Sequence, residues 1–360
     1  MQLFINTPGT LITQKDGCFR LKAGDRAADR SPMKVESLVI SNKAMISSQA
    51  IVLAMEHNID VVFLDGYDDP VGRVWFSKMG STALIRRKQL ETADQSLGLE
   101  LVIDMIRQKM DHQIRFLKKL MYARPGKETL FRKPLNTIEN AMAGLEVRGQ
   151  RLEDARERIR GLEGAAGRAY FQCLSKLMPD KYRFEKRSKR PAKDPFNAVL
   201  NYFYGILYSR VEKACILAGL DPYLGFMHTD NYNKKSLVFD MIELFRIYAE
   251  MAAVYMFTGR KVRDDYFDFA EAPLSQSRSK KSISASDTCA SVMVEAVSLN
   301  QKGKPIVAES MNMLLDERIR YRKKNVRRRY VILHEAHRLA NVLLAEDKVD
   351  RADWLDIQEF

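Results

Sequence analysis

The feature that most constrains this chain is a change of hydrophobic period close to residue 81. Before it, apolar and polar residues alternate in short runs bounded by turn residues: GTLITQKDG, CFRLKAG, KVESLVIS, IDVVFLDG and GRVWFS. Period-two alternation between Gly and Asp punctuation specifies half-buried strands. One helical segment, SSQAIVLAMEHN, separates two of them, with His57 near its end as a C-terminal capping group. After residue 81 apolar residues recur at helical spacing, in ALIRRKQLETA, in LELVIDMIRQKMDHQIRFLKKLMYA and in the charged stretch TIENAMAGLEVRGQRLEDARERIRGLEG. The expected fold class is α+β: a β-rich N-terminal domain over residues 1–80, a linker and first helix over 81–96, and a larger all-α domain over 97–360. The first domain carries no catalytic constellation and reads as a scaffold or an interface.

Within the helical part, Pro191 and Pro195 bracket the entry to an aromatic and aliphatic core helix, PFNAVLNYFYGILYSRVEKACILAGL. Gly219, Pro222 and Gly225 then interrupt the helical pattern before His228. Residues 271–288, EAPLSQSRSKKSISASDT, are rich in Ser and Lys and poor in large apolar groups, which predicts a loop. No later segment approaches the roughly 20 apolar residues that span a bilayer, and the N-terminus has no basic region followed by a sustained apolar run. A cytoplasmic location is expected. Cys18, Cys173, Cys215 and Cys289 form no CxxC pair, so neither a zinc ribbon nor a disulfide framework is indicated.

Charge narrows the choice of partner. Fifty-nine Lys and Arg against 46 Asp and Glu leave a formal +13, which favours a polyanion. The positive charge is dense in KYRFEKRSKRPAK, residues 181–193, and in RIRYRKKNVRRR, residues 318–329. Arg187, Lys189 and Arg190 in the first run and Arg327 and Arg328 in the second are candidate phosphate contacts. Tyr182, Phe184 and Tyr321 interleave them as candidate base-stacking rings. A solvated helix face explains either run alone equally well; two such runs in one chain favour nucleic acid.

Three residues stand out for chemistry. Glu163 lies among Gly161, Gly164, Ala165, Ala166 and Gly167, small residues that let a ligand or a second backbone approach. Tyr170 is seven positions on, two turns along the same face. His228 follows Gly-Phe-Met and opens a polar loop. Glu243 sits in SLVFDMIELFR with Asp240 one turn earlier, and apolar residues flank both acids. Buried acids need a cation, and Arg246 is the alternative to a metal as its source. Two Glu and one His form a hard, mostly oxygen-donor set suited to Mg²⁺ or Mn²⁺, which beside a basic surface points to phosphodiester chemistry. His334-Glu335-Ala336-His337 imitates a zinc motif, but its histidines are three apart rather than four. It reads as packing or nucleic-acid contact.

EGAAGRAYF, the NAVLNYFYGIL helix entered from DPF, and GFMH followed by SLVFDMIELFR resemble, in that order, the core signatures of the CRISPR-associated spacer-acquisition integrases, the Cas-one family. The resemblance covers nearly the whole chain. It implies an N-terminal dimerisation or partner-binding domain, a homodimer, and a small dimeric partner, Cas-two. It also implies a prespacer duplex whose 3′-hydroxyl ends are joined to a CRISPR repeat by transesterification. Glu163, His228 and Glu243 match the family's metal ligands and Asp240 an acidic neighbour. Arg86, Gln89, Lys109, Gln113 and Asn197 match recurring positions with roles in DNA contact or structural support. Tyr170 is assigned to site support, since transesterification needs no covalent enzyme intermediate. A hydrolytic metal-dependent endonuclease and a non-catalytic DNA-binding scaffold remain the alternatives.

Overall fold

The computed structural model describes residues 2–35, 37–40, 43–57, 59–64, 70–74, 82–93, 95–146, 152–228, 234–273 and 293–344. Two compact units emerge, Met1–Gly80 and Ser81–Phe360. In the first, strands β1 (Gln2–Ile5), β5 (Ser37–Ile40), β7 (Asp60–Leu64) and β8 (Pro70–Val74) form one sheet in that order, parallel except for β8. Strands β4 (Arg26–Arg30), β3 (Cys18–Ala23), β2 (Leu11–Lys15) and β6 (Met45–Ile46) form the other. The β2–β3 hairpin turns on Asp16 and Gly17, with φ of +50° and +72°. Such a left-handed pair matches strand twist in a two-residue loop, and Gly17 accepts it without Cβ strain.

Ile12 and Phe19 from one sheet and Leu38, Ile40 and Val61 from the other share a core with Ala50, Leu53 and Ala54 of helix α1 (Ser48–Glu56). Ser47 caps that helix by accepting the Ala50 N–H at 3.2 Å. At its other end His57 donates its backbone N–H and ring Nδ1 to the Leu53 carbonyl, the capping role expected of it.

The second unit is built around α3 (Ser96–Tyr122), whose Leu99, Val102, Ile106, Met110 and Leu117 repeat at helical spacing and are buried. It packs against α2 (Thr82–Ala93), α4 (Thr129–Ala143), α5 (Leu152–Leu177) and α8 (Arg246–Thr258). Helix α6 (Pro195–Leu217) packs on α8 and on α10 (Arg328–Leu344). The charged stretch 137–164 is divided: α4 ends at Gly144, where a Cβ would lie 3.1 Å from a Leu162 methyl on α5.

The second unit is not wholly helical. Strands β9 (Phe267–Pro273) and β10 (Met293–Leu299) pair antiparallel, as do β11 (Arg318–Tyr321) and β12 (Lys324–Arg327). Ile319 and Tyr321 alternate inward with Arg318 and Arg320 outward, a period-two signal masked by the density of basic residues. Of the expected loop, 271–273 belongs to β9, and the remainder, 274–288, lies outside the described residues. Helix α9 (Gly303–Asp316) joins the two hairpins. No helix among the described residues is long and apolar enough to cross a membrane. Cys173 and Cys215 are buried free thiols, Cys18 is half-buried, and Cys289 lies outside the described residues.

Candidate active site

SLVFDMIELFR does not make the single helix its apolar pattern suggests. Helix α7 (Ser236–Met241) tightens into a 3₁₀ turn at Ile242–Leu244, Phe245 leaves helical geometry at φ −116°, and α8 starts at Arg246. Asp240 and Glu243 therefore serve different partners.

Glu243 meets Lys109 of α3 and Glu163 of α5. The Lys109 ammonium hydrogen-bonds Glu163 Oε1 and lies 2.6 Å from Glu243 Oε2, while Arg246 Nη2 lies 2.7 Å from Glu243 Oε1. The Glu243 side chain is 5% exposed and that of Lys109 13%. Burial alone would raise the Glu243 pKa, but Arg246 and Lys109 outweigh it and hold the carboxyl down at about 2. Burial would likewise lower Lys109, and Glu243 and Glu163 reverse it, so the ammonium stays charged.

Arg246 continues the network. Its guanidinium stands 4.8 Å from the Tyr204 ring centre, and the Tyr204 hydroxyl donates to Glu250 Oε1 at 2.8 Å. Burial pushes the Glu250 carboxyl up and, with Glu250 beside it, the Tyr170 phenol well above its ordinary range. Tyr170 is fully buried.

His228 is presented separately. Asp240, buried on α7, accepts the N–H groups of Phe226 (2.6 Å), Met227 (3.0 Å) and His228 (3.2 Å), and His228 Nδ1 at 2.5 Å. One carboxylate shapes the turn and orients the imidazole through Nδ1, and Nε2 is the ring nitrogen outside that bond. Gly225 makes this possible: a Cβ there would lie 2.6 Å from the Ser236 carbonyl carbon and 2.9 Å from Asp240 Oδ2. Upstream, buried Gln89 of α2 donates to the carbonyls of Asp221 and Leu224 and accepts the Asp221 N–H. Residues 221–228 are thus pinned at both ends.

The donor chemistry fits a hard divalent cation: two carboxylates already converge on one positive charge, and an imidazole is held through Nδ1 by a third carboxylate. Among the described residues, no group of three His, Cys, Asp or Glu side chains is gathered closely enough to hold a metal ion. Glu163 and Glu243 come together through Lys109, and His228 is oriented by Asp240 apart from them.

The basic residues divide by environment. Lys109, expected to face DNA, is the buried bridge just described. Arg86 pairs with Asp221 at 3.4 Å. Arg187 donates to Asn197 Oδ1 (2.7 Å) and Asn201 Oδ1 (2.5 Å), while those amides donate to the carbonyls of Lys186, Ser188 and Lys189. Residues 186–189 are strapped to α6 rather than lying on a free helix face. Asn201 was legible only as a polar group one turn after Asn197, on the same face. Lys189 and Arg190 reach solvent. The surrounding protein, followed by Arg246 and Arg187, depresses the Lys189 ammonium.

Four expectations are corrected by burial. Arg328 is 6% exposed and donates to the Leu314 carbonyl and to Glu317, fastening the start of α10 to the C-terminal end of α9, so it is no phosphate contact; Arg327 remains exposed near Asp316. Tyr182 and Phe184 are core residues, packed on Phe257 at 5.1 Å and stacked on Phe196 at 4.4 Å between ring centres. Tyr321 is buried and donates its hydroxyl to Glu335 of α10. The HEAH segment thereby packs the β11–β12 hairpin rather than binding an ion. Glu250 and Tyr204 carried no sequence signal that separated them from other polar groups on apolar helices.

The model for the family described as CRISPR associated protein Cas1 matches residues 3–287. The chain belongs to the Cas1 family. The CRISPR-associated endonuclease Cas1 1 of Archaeoglobus fulgidus is 35% identical over 260 residues, 68% of this chain and 74% of the relative. Two solved structures share the fold. A casposase bound to its integration product has a TM-score of 0.78 at 19% identity, covering 100% of this chain and 94% of the other. A chain of a Cas6-RT-Cas1–Cas2 complex has a TM-score of 0.72 at 21% identity, covering 96% of this chain and 35% of that longer one. The Cas1 match includes Glu163, His228 and Glu243 and stops before β10, so the β11–β12 hairpin and α10 lie beyond it.

Proposed function

We propose that this protein is a metal-dependent DNA integrase of CRISPR adaptation, joining the 3′-hydroxyl ends of a short prespacer duplex to a repeat by transesterification. The observation that carries the reading is the convergence of Glu163 and Glu243 on one cationic point, with His228 presented through Nε2 by a buried carboxylate. Membership of the Cas1 family supports it. A relative named as an endonuclease and a fold neighbour solved with its integration product support the class of chemistry.

In this reading Glu163, His228 and Glu243 would hold a Mg²⁺ or Mn²⁺ ion, which would supply Lewis-acid charge to the phosphodiester chemistry. The rest falls to the chain. Asp240 fixes His228 through Nδ1, which leaves Nε2 as the ligand nitrogen. Arg246 keeps Glu243 ionised. Lys189 and Arg190, which reach solvent, supply positive charge where phosphates must approach. The prespacer 3′-oxygen forms the new P–O bond, the target P–O3′ bond breaks, and the attacking hydroxyl's proton ends on the released target 3′-oxygen. One phosphodiester replaces another, so positioning and charge neutralisation carry most of the catalysis. The partners we assign are DNA, a second copy of the chain and a Cas2-type protein, the last supported by the neighbour that is part of a Cas1–Cas2 assembly. The cytoplasm is the compartment that suits them.

Hydrolytic cleavage is the second reading, favoured by the name of the Archaeoglobus relative. A 3′-hydroxyl duplex incubated with a repeat-bearing supercoiled plasmid, Mg²⁺ or Mn²⁺ and the Cas2-type partner separates the two. Strand-joined products are expected, reduced at least about a hundredfold by Glu163→Gln or His228→Ala. Nicking without joining establishes the nuclease instead, and activity unchanged in both variants overturns the site.

A further inference from the structure

The charges around the candidate site are balanced by the protein itself. Glu163 and Glu243 are the acids, and Lys109 and Arg246 are the cations that face them. Adding a divalent cation to such a set leaves at least two uncompensated positive charges in a mostly buried environment, where they repel strongly. Lys109 makes the conflict specific, because its ammonium stands between the two carboxylates that a metal would share.

We propose that metal binding at this site is coupled to DNA binding through Lys109: the DNA phosphate takes over the Lys109 ammonium, freeing Glu163 and Glu243 for the ion. This rests on the integrase reading and adds a control to it. The free protein holds the divalent ion weakly, and the phosphate brings the missing negative charge together with a new partner for the lysine. Hard divalent ions are commonly bound by one or two carboxylates together with substrate phosphates, so the arrangement suits Mg²⁺ chemistry. It also withholds the metal until substrate is present. Coupling is reciprocal, so the ion must tighten DNA binding by the same factor as DNA tightens the ion.

Mn²⁺ binding measured by the loss of the free-ion EPR signal tests this without reference to turnover. For the full-length protein, a short 3′-hydroxyl duplex is expected to raise Mn²⁺ affinity about tenfold or more. Lys109→Met is expected to raise the affinity of the DNA-free protein by a similar factor and to shrink the gain from DNA. Unchanged or weaker Mn²⁺ binding by folded Lys109→Met overturns the proposal. If that variant does not fold, the wild type decides alone, since an affinity indifferent to DNA overturns the coupling. Failure of the site assignment looks different: Mn²⁺ bound with equal affinity by wild type and Glu163→Gln removes the site and the coupling together.

Discussion

Gly225 shows how tightly the turn leading to the candidate ligand His228 is packed. Its missing side chain lets the turn come within contact of Ser236 and of the Asp240 carboxylate that three backbone N–H groups and the imidazole share. Gly225→Ala is expected to destabilise the fold by about 1–3 kcal/mol, the usual effect of overpacking a tight site. Because the shift falls on His228, strand joining should drop more than stability does. Urea unfolding and a joining assay on the same preparation check both, and a variant that joins at the wild-type rate would show that the turn tolerates the methyl group.

Glu335 offers a residue-scale test by pH. Burial pushes its carboxyl up to about 7, against the lowering effect of its bond from Tyr321. The folded state therefore holds this proton more tightly than the unfolded chain, where the ordinary value is 4.5. Stability from this group is fully present below about pH 4.5 and is lost as pH rises through about 7. Glu335→Gln keeps an acceptor for Tyr321 and removes the titration. Relative to this variant, the wild type should lose stability between those limits, read from urea midpoints at several pH values; parallel profiles would contradict the assignment.

At the scale of elements, the β11–β12 hairpin separates its charged residues by face. Ile319, Tyr321 and Val326 turn inward, while Arg318 lies directly across from Arg327 and Arg320 across from Asn325. Like charges opposite one another destabilise a strand pair, and a phosphate backbone laid along them relieves the repulsion. Arg318→Ala with Arg320→Ala should make the logarithmic salt dependence of DNA affinity shallower by about 2, close to 0.9 for each phosphate that the pair neutralises, with the melting temperature unchanged. A salt slope equal to wild type would place the DNA elsewhere. Arg328 is the instructive contrast: it adjoins Arg327 in sequence, yet its guanidinium is held by Leu314 and Glu317 inside the unit.

Across the whole molecule, the features legible without coordinates are those that local periodicity and composition can encode. The change near residue 81 marks strands before and helices after, and the net charge of +13 calls for a polyanion. The order of EGAAGRAYF, NAVLNYFYGIL and GFMH carries the family. Such signals repeat every two or three to four residues, or lie within one short segment, so no long-range contact is needed to read them. Only the tertiary structure decided which charges meet. Lys109 could have reached solvent from α3; the packing of α5 and the 3₁₀ break after α7 bring two carboxylates to it instead. Tyr182, Phe184, Tyr321 and Arg328 sit in runs that look like one basic surface, and burial sorts them into core and rim. The physical reason is that the free energy of a charge or a ring depends on what lies beside it in space. For these residues the deciding neighbours are distant in the chain.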